Sequence, residues 1–487
     1  MGIYDERRVK IVATLGPAVS ERDRLRELLS AGVDVVRINA AHGSADDRAR
    51  LIHDVREVSD DLGRLVPVLF DLRGLKIRTG PLGEDNEPVP VARGSSMEIV
   101  PEPVPTTATR IGIDYPRLLD VIQPGSRLLI SDGLIELLVE RIQGRAAMCQ
   151  VGRGGLLLGR QGVTLPGAPI RGGALTRVDR DDITFAVDHG VDFLGLSFVN
   201  DAADLKAARL LAGGGQEGTI GPGLIAKIER PEALADVRAI AAEADGVMVA
   251  RGDLGVQMAP ERVPRAQKEI IRVANTLGVP VITATQMLES MITQPVATRA
   301  ETNDVANAVW DGTDAVMLSA ETAVGRYPIE AVQTMGRIIR EAEKDGPIRT
   351  AASLEPLPQV GDPTVAFAEA IARAAEALAE VAPVEHMVVF TLTGTAVRRV
   401  AKYRPGPPIV GVATDIETAR RLNLIWGVRA IIVPLEDDAD HLFRLTGKVI
   451  IDAGLATEGA YALIAGSLPM TRVSGRTNML HVRPLGT

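Results

Sequence analysis

The chain has 487 residues, of which 46% are hydrophobic and 24% charged, and its formal net charge is -9 at pH 7. This length exceeds a single ordinary domain, so roughly two or three domains are expected. The acidic balance argues against a general binder of nucleic acid or of a membrane surface, because both partners are anionic and need a basic face. Any anionic substrate must therefore meet a local cluster of cations.

The sequence carries no feature of a secreted or membrane-spanning protein. Its single cysteine, Cys149, excludes an internal disulfide framework and is interpreted as a small apolar filler. The first residues, "MGIYDERRVK", lack a secretory apolar core. No segment approaches the roughly 18 uninterrupted apolar residues of a membrane span. These features predict a soluble cytoplasmic protein.

Short β-branched runs alternate with amphipathic helical stretches. They read "VKIVAT", "VDVVRI", "VPVLFD", "VDFLGLS", "GLIAKI", "GVMVA", "VPVITAT" and "DAVMLS". Uninterrupted apolar strands separated by helices indicate a parallel sheet buried on both faces. Eight such units predict an α/β fold in which a (β/α)8 TIM barrel spans residues 1–78 and 177–345. A doubly wound open sheet is the alternative.

Two further regions differ from the barrel pattern. Residues 79–176 are rich in Gly and Pro and contain hairpin-like strands, which predicts a β-rich domain inserted into one barrel loop. After the low-complexity stretch "AASLEPLPQVGDP", a new α/β series includes "HMVVFTLTG" and "PPIVGVAT". Residues 346–487 are therefore predicted to form a C-terminal α/β domain.

The predicted strand ends are rich in ionisable groups, and barrel enzymes carry their catalytic groups at the C-terminal strand ends. Strand two ends in "RINAAHG", with Arg37, Asn39 and His42. Strand five ends in "AKIE", where the two-residue period of a strand places Lys227 and Glu229 on the same side.

Strand three runs into the stretch "VPVLFDLRGLKIRT", where Asp71 precedes three cations, Arg73, Lys76 and Arg78. Asp253, in "ARGDLG" after strand six, forms with Glu229 a two-carboxylate set suited to Mg2+. Cations around two carboxylates indicate a metal and a multiply charged anion such as a phosphate or phosphocarboxylate. Any single one of these charges could equally be a solvated loop residue or a structural ion pair.

Across nearly its whole length the chain resembles the pyruvate kinase family. The matching stretches are "KIVATLGPA", "GVDVVRINAAHG", "IRTG", "GVTLPG", "LIAKIERPEAL", "DGVMVARGDLGV", "ITATQMLESMI", "TRAETNDVANAVWDGTDAVMLSAETAVGRYP" and "SGRTNML". The resemblance implies a glycolytic enzyme that transfers the phosphoryl group of phosphoenolpyruvate to ADP, giving pyruvate and ATP. It also implies that the inserted domain is a lid over the active site, that the C-terminal domain is regulatory, and that the protein is a homotetramer with a phosphorylated allosteric effector.

The resemblance implies a role for several residues in the phosphoryl transfer. Glu229 and Asp253 would hold Mg2+ or Mn2+ against the substrate. Lys227 would neutralise the phosphoryl group in flight, and Arg37 would contact it.

The resemblance also assigns the remaining substrate contacts. The backbone N–H groups of Gly252 and Asp253 and the hydroxyl of Thr285 would receive the substrate carboxylate, with Thr285 near the carbon to be protonated. The nucleotide side would be formed by Arg78, His42 and Asn39. The effector phosphate would bind at the strand-to-helix turn "TLTGT", through Thr391, Thr393, Gly394 and Thr395.

Three departures from the family pattern stand out. Lys76 replaces a usual glutamate and Ala41 a usual serine, both linked in relatives to a bound K+. We therefore expect Lys76 to act as a catalytic cation that makes K+ unnecessary. Val178 replaces a usual lysine on the nucleotide phosphate side.

These departures leave two alternatives to an active kinase. The first is a non-catalytic paralogue that binds metabolites and regulates without turnover. The second is a Mg2+-dependent barrel lyase acting on phosphoenolpyruvate or pyruvate, although it leaves the inserted domain without a function.

Overall fold

The structure is a computed structural model that describes residues 7–168, 175–213, 221–346, 348, 350–354, 362–434, 436, 438–467 and 476–486. Much of the stretch "AASLEPLPQVGDP" and the first part of "SGRTNML" lie outside the described residues. Within them, no helix is both long and apolar enough to cross a membrane.

The N-terminal segment forms the first three barrel strands. The strands are almost wholly buried because their apolar residues contact the barrel interior on one face and the surrounding helices on the other. Ser44 and Asp47 form a capping box that fixes the start of the second helix just after the strand-two end. The elements are β1 (Lys10–Thr14), α1 (Arg22–Ser30), β2 (Val35–Asn39), α2 (Ala45–Asp61) and β3 (Val68–Asp71).

The inserted segment forms a separate β-rich unit with its own hydrophobic core. Its elements are β4 (Val89–Val91), β5 (Ser96–Val100), β6 (Arg110–Gly112), α3 (Leu118–Val121), β7 (Arg127–Ile130), β8 (Ile135–Gln143), β9 (Ala146–Arg153), β10 (Gly155–Leu157) and β11 (Val163–Thr164). A six-stranded sheet has the order β11-β7-β8-β9-β5-β6, and β10 pairs with β4. Cys149 is buried in this core, and burial raises the pKa of its thiol to about 12, in agreement with a role as apolar filler.

The second barrel segment completes the cylinder. Its elements are α4 (Arg177–Asp188), β12 (Phe193–Leu196), α5 (Ala202–Leu211), β13 (Gly223–Ile228), α6 (Pro231–Ala235), α7 (Val237–Glu243), β14 (Gly246–Ala250), α8 (Arg251–Gln257), α9 (Val263–Leu277), β15 (Val281–Ala284), α10 (Arg299–Trp310), β16 (Ala315–Leu318), α11 (Ala320–Ala323) and α12 (Pro328–Ala342). The described strands close in the order β1-β16-β15-β14-β13-β12-β3-β2. This closure confirms the TIM barrel and excludes the doubly wound alternative.

The C-terminal segment is an α/β domain, as the sequence predicted. Its elements are α13 (Ala351–Leu354), α14 (Pro363–Val381), β17 (His386–Phe390), α15 (Thr395–Ala401), β18 (Ile409–Ala413), α16 (Ile416–Leu422), β19 (Val428–Ile432), α17 (Ala439–Asp452), β20 (Tyr461–Gly466) and β21 (Met479–Pro484). The described sheet has the order β19-β18-β17-β20-β21, with β21 antiparallel to its neighbour.

The C-terminal domain is joined to the bottom of the barrel by a buried ion pair. Arg404 donates to Asp314 Oδ1 at 3.0 Å and lies over the ring of Trp426. Asp314 Oδ2 accepts from the backbone N–H of Val281 at 3.0 Å, at the first residue of β15. The domain contact is therefore connected to a strand whose other end leads to Thr285.

Candidate active site

One large cavity opens at the C-terminal ends of the barrel strands, with a volume of about 910 Å³. Its wall brings together residues from seven strand ends that are far apart in the sequence. The sequence-predicted residues that line it are Arg37, Asn39, His42, Asp71, Lys227, Asp253 and Thr285. The barrel thus gathers most of the candidate catalytic groups around one volume.

Lys227 is at the centre of the charged cluster. Its Nζ donates to Ser197 Oγ at 2.7 Å and lies 2.8 Å from Glu229 Oε1 and 3.3 Å from Asp71 Oδ1. Burial disfavours the ammonium, but Asp71 and Glu229 outweigh burial and raise the pKa of Lys227 above its ordinary value. Lys227 is therefore a fixed cation at the cavity wall.

Asp71 connects Lys227 to a second cation. Its Oδ2 accepts from Arg37 Nε at 2.8 Å and from Arg37 Nη2 at 2.6 Å. Burial opposes ionisation of this carboxyl, but Lys227 and Arg37 together hold the pKa of Asp71 below its ordinary value. The hydroxyl of Thr14 accepts a further bond from Arg37 at 3.0 Å. Asp71 therefore orients two cations toward the same cavity, Arg37 and Lys227, rather than the cations that follow it in the sequence.

Glu229 and Asp253 are arranged in a way that suits a divalent cation. Glu229 is fully buried beneath the cavity, whereas Asp253 lines it. Burial and, to a lesser extent, repulsion from Asp253 outweigh the opposing effect of Lys227 and raise the pKa of Glu229 to about 7. No cluster of three ligating His, Cys, Asp or Glu side chains occurs among the described residues. Two carboxylates fit Mg2+, which fills its remaining positions with water and substrate oxygens.

The turn after β15 holds Thr285 in a strained backbone conformation, with φ of 68° at Thr285 and 55° at Gln286. The Arg251 guanidinium stabilises this turn by donating to both of their carbonyl oxygens. Thr285 Oγ1 accepts from the N–H of Gly252 at 2.8 Å, so the first turn of α8 and the threonine hydroxyl lie side by side. Such a pairing suits the recognition of a small carboxylate.

Several predicted residues lie away from the cavity wall. Arg78 is exposed and donates to the carbonyl of Arg160 in the lid at 3.0 Å. Lys76 is also exposed, and its Cε is 3.6 Å from the position that a Cβ on Gly162 would occupy. In this structure the charged partners of Asp71 are thus Arg37 and Lys227 rather than Lys76.

Arg73 forms an ion pair, with Nε 2.9 Å from Asp182 Oδ2 on α4. Val178 is 46% exposed in the first turn of the same helix. The "TLTGT" turn is in the C-terminal domain, where Gly394 has φ of 87° and donates to Thr391 Oγ1. The hydroxyls of Thr393 and Thr395 are 3.1 Å apart.

The sequence analysis did not predict three hydroxyl residues that belong to the site. Thr14 ends β1, Ser197 follows β12 and Ser319 follows β16, and all three are at or beside the cavity. The strand-end rule would have found them if it had been applied to uncharged side chains as well.

A TIM barrel with an inserted β domain and a lysine–arginine–carboxylate cluster at its C-terminal mouth indicates an enzyme that acts on a multiply charged anion. The profile described as "Pyruvate kinase, barrel domain" matches residues 6–332, and that described as "Pyruvate kinase, alpha/beta domain" matches residues 369–483. The chain belongs to the pyruvate kinase family.

Individual relatives agree over almost the whole chain. A pyruvate kinase of Agrobacterium vitis is 41% identical over 487 residues, covering 99% of this chain and 98% of the relative. One from Geobacillus stearothermophilus is 39% identical, covering 98% of this chain and 80% of the relative. A crystal structure of a pyruvate kinase from Cryptosporidium parvum is similar with a TM-score of 0.89 and 31% identity, covering 99% of this chain and 96% of that one.

Proposed function

We propose that the protein transfers the phosphoryl group of phosphoenolpyruvate to ADP, giving pyruvate and ATP, and that it requires Mg2+ or Mn2+. The observation that carries this proposal is the fixed ammonium of Lys227 between Asp71 and Glu229 at the wall of the cavity. Phosphoryl transfer passes through a loose transition state, so positioned charge supplies most of the catalysis.

Arg37 and Lys227 form the phosphoryl side of the site. The ammonium of Lys227 donates to Ser197 and is 2.8 Å from Glu229 Oε1, whereas Asp71 Oδ1, at 3.3 Å, makes no hydrogen bond with the described residues. An incoming phosphoryl oxygen can therefore approach the ammonium on the side of Asp71, which keeps its bonds to Arg37. Glu229 and Asp253 would hold the divalent ion, which when bound neutralises charge on the transferring group.

The carboxylate side is formed by the N–H groups of Gly252 and Asp253 at the start of α8 and by Thr285. The threonine hydroxyl is bonded to the Ala284 carbonyl at 2.6 Å and is a poor acid by itself, so it protonates the enolate through water. His42 and Asn39, which line the cavity, would form the nucleotide side together with Arg78, which is outside the cavity wall and donates to the carbonyl of Arg160 in the lid.

A coupled assay of pyruvate formation from phosphoenolpyruvate, with and without ADP, tests the reaction. The proposed kinase forms pyruvate only when ADP and Mg2+ are both present. Pyruvate released without ADP would indicate the lyase, and binding of phosphoenolpyruvate without turnover would indicate the metabolite-binding paralogue.

The proposal includes independence from K+. Lys76 would supply beside the phosphoryl group the charge that K+ supplies in relatives, which is consistent with the missing hydroxyl at Ala41. Asp71 already has two cationic partners, so the target of Lys76 is the phosphoryl group, and the lysine must move to reach it. Turnover in a tetramethylammonium buffer free of Na+ and K+ is the test. Several-fold stimulation by K+ in the unmodified protein contradicts the proposal, and K+ dependence limited to Lys76→Glu combined with Ala41→Ser supports it.

We also propose that the enzyme is a cytoplasmic homotetramer of glycolysis, activated by a sugar phosphate or nucleoside monophosphate at the Thr391–Thr395 turn. The proposal is supported by the small hydroxyl side chains and the left-handed Gly394 in this turn. Thr395→Glu places a like charge where the effector phosphate would bind, so activation should be lost while basal turnover stays. If Thr395→Glu leaves the response to every such effector intact, the effector site lies elsewhere.

A further inference from the structure

The end of strand β12 carries no ionisable group, yet it contacts two members of the charged cluster. Ser197 follows the strand and is 4% exposed. Its Oγ accepts from Lys227 Nζ at 2.7 Å and donates to the carbonyl oxygen of Leu72 at 2.9 Å. Leu72 is the first residue after β3, on the segment that leads to the lid. One buried hydroxyl thus joins this segment to the ammonium of Lys227.

The adjacent residue holds the other side of the same cluster. Phe198 has φ of 55°, and its N–H donates to Glu229 Oε2 at 2.7 Å. The segment that leads to the lid packs tightly on this corner, because a Cβ built on Gly74 would be 2.8 Å from Cβ of Ser197 and 2.8 Å from a ring carbon of Phe198. A shift of that segment is therefore transmitted to the contacts of Ser197.

The direction of the Ser197 hydroxyl follows from its hydrogen count. A serine hydroxyl has one hydrogen to donate, and it is given to Leu72 O, so the oxygen lone pairs face Lys227. Among the described residues, Ser197 is also the one uncharged partner of this ammonium. It can hold Lys227 in place without competing with an anionic substrate as strongly as Asp71 and Glu229 do.

We propose that Ser197 is a positioning residue for phosphoryl transfer, which fixes the ammonium of Lys227 and links its orientation to the segment leading into the lid. The inference rests on the proposed function, because it assigns Lys227 to the transferring phosphoryl group. Ser197 acts through Lys227 and does not itself contact substrate.

The test compares kcat and KM for phosphoenolpyruvate in the unmodified protein, Ser197→Ala and Ser197→Thr. Loss of a group that orients a catalytic residue typically costs about 10- to 100-fold, so this loss is expected in kcat of Ser197→Ala. KM should change by less than about threefold, because the ammonium and both carboxylates remain. Ser197→Thr keeps the hydroxyl and should recover most of kcat.

Thr313→Val is the matched control. It removes a buried hydroxyl at the opposite end of the barrel, which can donate its one hydrogen to the carbonyl oxygen of Val281 at 3.0 Å or to that of Ala315 at 2.9 Å. It should lower the thermal midpoint and leave kcat of the folded enzyme unchanged. Hydrogen exchange of the amides in residues 72–78 should be faster in Ser197→Ala than in this control.

The outcomes separate this inference from the proposed function. If the unmodified protein forms no pyruvate, the proposed function fails and this inference fails with it. If the unmodified protein is active and Ser197→Ala retains its kcat, or loses only stability as Thr313→Val does, the positioning role alone is overturned. A loss of kcat in Ser197→Ala without faster exchange in residues 72–78 overturns the link to the lid segment.

Discussion

A substitution at Gly195 tests the geometry of the charged cluster, because this glycine leaves the space in which Asp71 and Lys227 approach each other. In the barrel order, β12 lies between β3 and β13, and Gly195 of β12 pairs with Asp71 of β3. Asp71 and Lys227 therefore approach each other over a strand position without a side chain. A Cβ built on Gly195 would be 2.8 Å from Asp71 Oδ1 and 3.4 Å from its Cγ.

The magnitude of Gly195→Ala follows from this geometry. Ordinary contact between non-bonded heavy atoms begins at about 3.5 Å, so the Asp71 carboxylate must move by roughly half an ångström or more. Overpacking of this kind costs about 1–3 kcal/mol of stability. The displaced oxygen is the one that faces Lys227, and a misplacement of about 1 Å can cost 10²-fold in rate. We expect kcat to fall by about 10- to 100-fold.

The assay is ADP-dependent pyruvate formation, with the thermal midpoint measured on the same samples. Gly336→Ala is the control, because its new Cβ would meet only the flexible end of Arg340, at 3.6 Å, within α12. That change should be neutral or stabilise by about 0.5–1 kcal/mol, and its kcat should be unchanged. An unchanged kcat in Gly195→Ala would refute the reasoning, because catalysis would then not depend on the present position of the Asp71 carboxylate.

Four further predictions concern single side chains. Lys227→Met should lower kcat by at least about 10²- to 10³-fold, because a neutral side chain cannot offset charge developing in a dry site, and near-normal turnover would exclude the assignment. Val178→Lys adds a cation to the exposed first turn of α4 and should raise kcat/KM for ADP, whereas an unchanged value would mean that Arg177 or another cation already compensates. Arg404→Met leaves the buried Asp314 carboxylate without its cation and should lower the free energy of unfolding in urea by about 3–5 kcal/mol. The control is Arg272→Met, which removes an exposed ion pair and should cost less than about 1 kcal/mol. A loss as small as that in Arg404→Met would contradict the prediction. Burial lowers the pKa of Lys10 to about 8, so below that pH the folded state carries a disfavoured cation. Lys10→Met should therefore raise the thermal midpoint at pH 7, and this gain should shrink as the pH rises from about 8 to about 10.5. A gain that does not depend on pH would count against this prediction.

The Lys10 prediction has a defined sign. The unfolded chain keeps the Lys10 proton up to its ordinary pKa of about 10.4, while the folded chain releases it from about pH 8. Between these values the unfolded state binds more protons, so the contribution of Lys10 to stability rises with pH. Its Nζ also donates to the carbonyl of Val428 at 2.6 Å, and the loss of this bond offsets part of the gain in Lys10→Met by about 1 kcal/mol.

The sequence by itself determined the barrel and the charged part of its site. Apolar runs that alternate with helices identify parallel strands, and the C-terminal ends of parallel strands meet at one edge. The two-residue period placed Lys227 and Glu229 on one side of β13, and their ion pair at 2.8 Å agrees with that placement. These features depend on local periodicity, which is a property of the chain order alone.

Tertiary structure decided which side chains from different strands actually touch. Lys227 meets Asp71 over Gly195 because barrel closure and strand register set that distance, and neither is encoded in a local period. The neutral hydroxyls of Thr14 and Ser197 gave no charge signal, so their bonds to Arg37 and Lys227 became visible only in the folded chain. A hydroxyl acquires its role from the partners that folding brings to it, whereas an ionisable group at a strand end already limits what its partners can be.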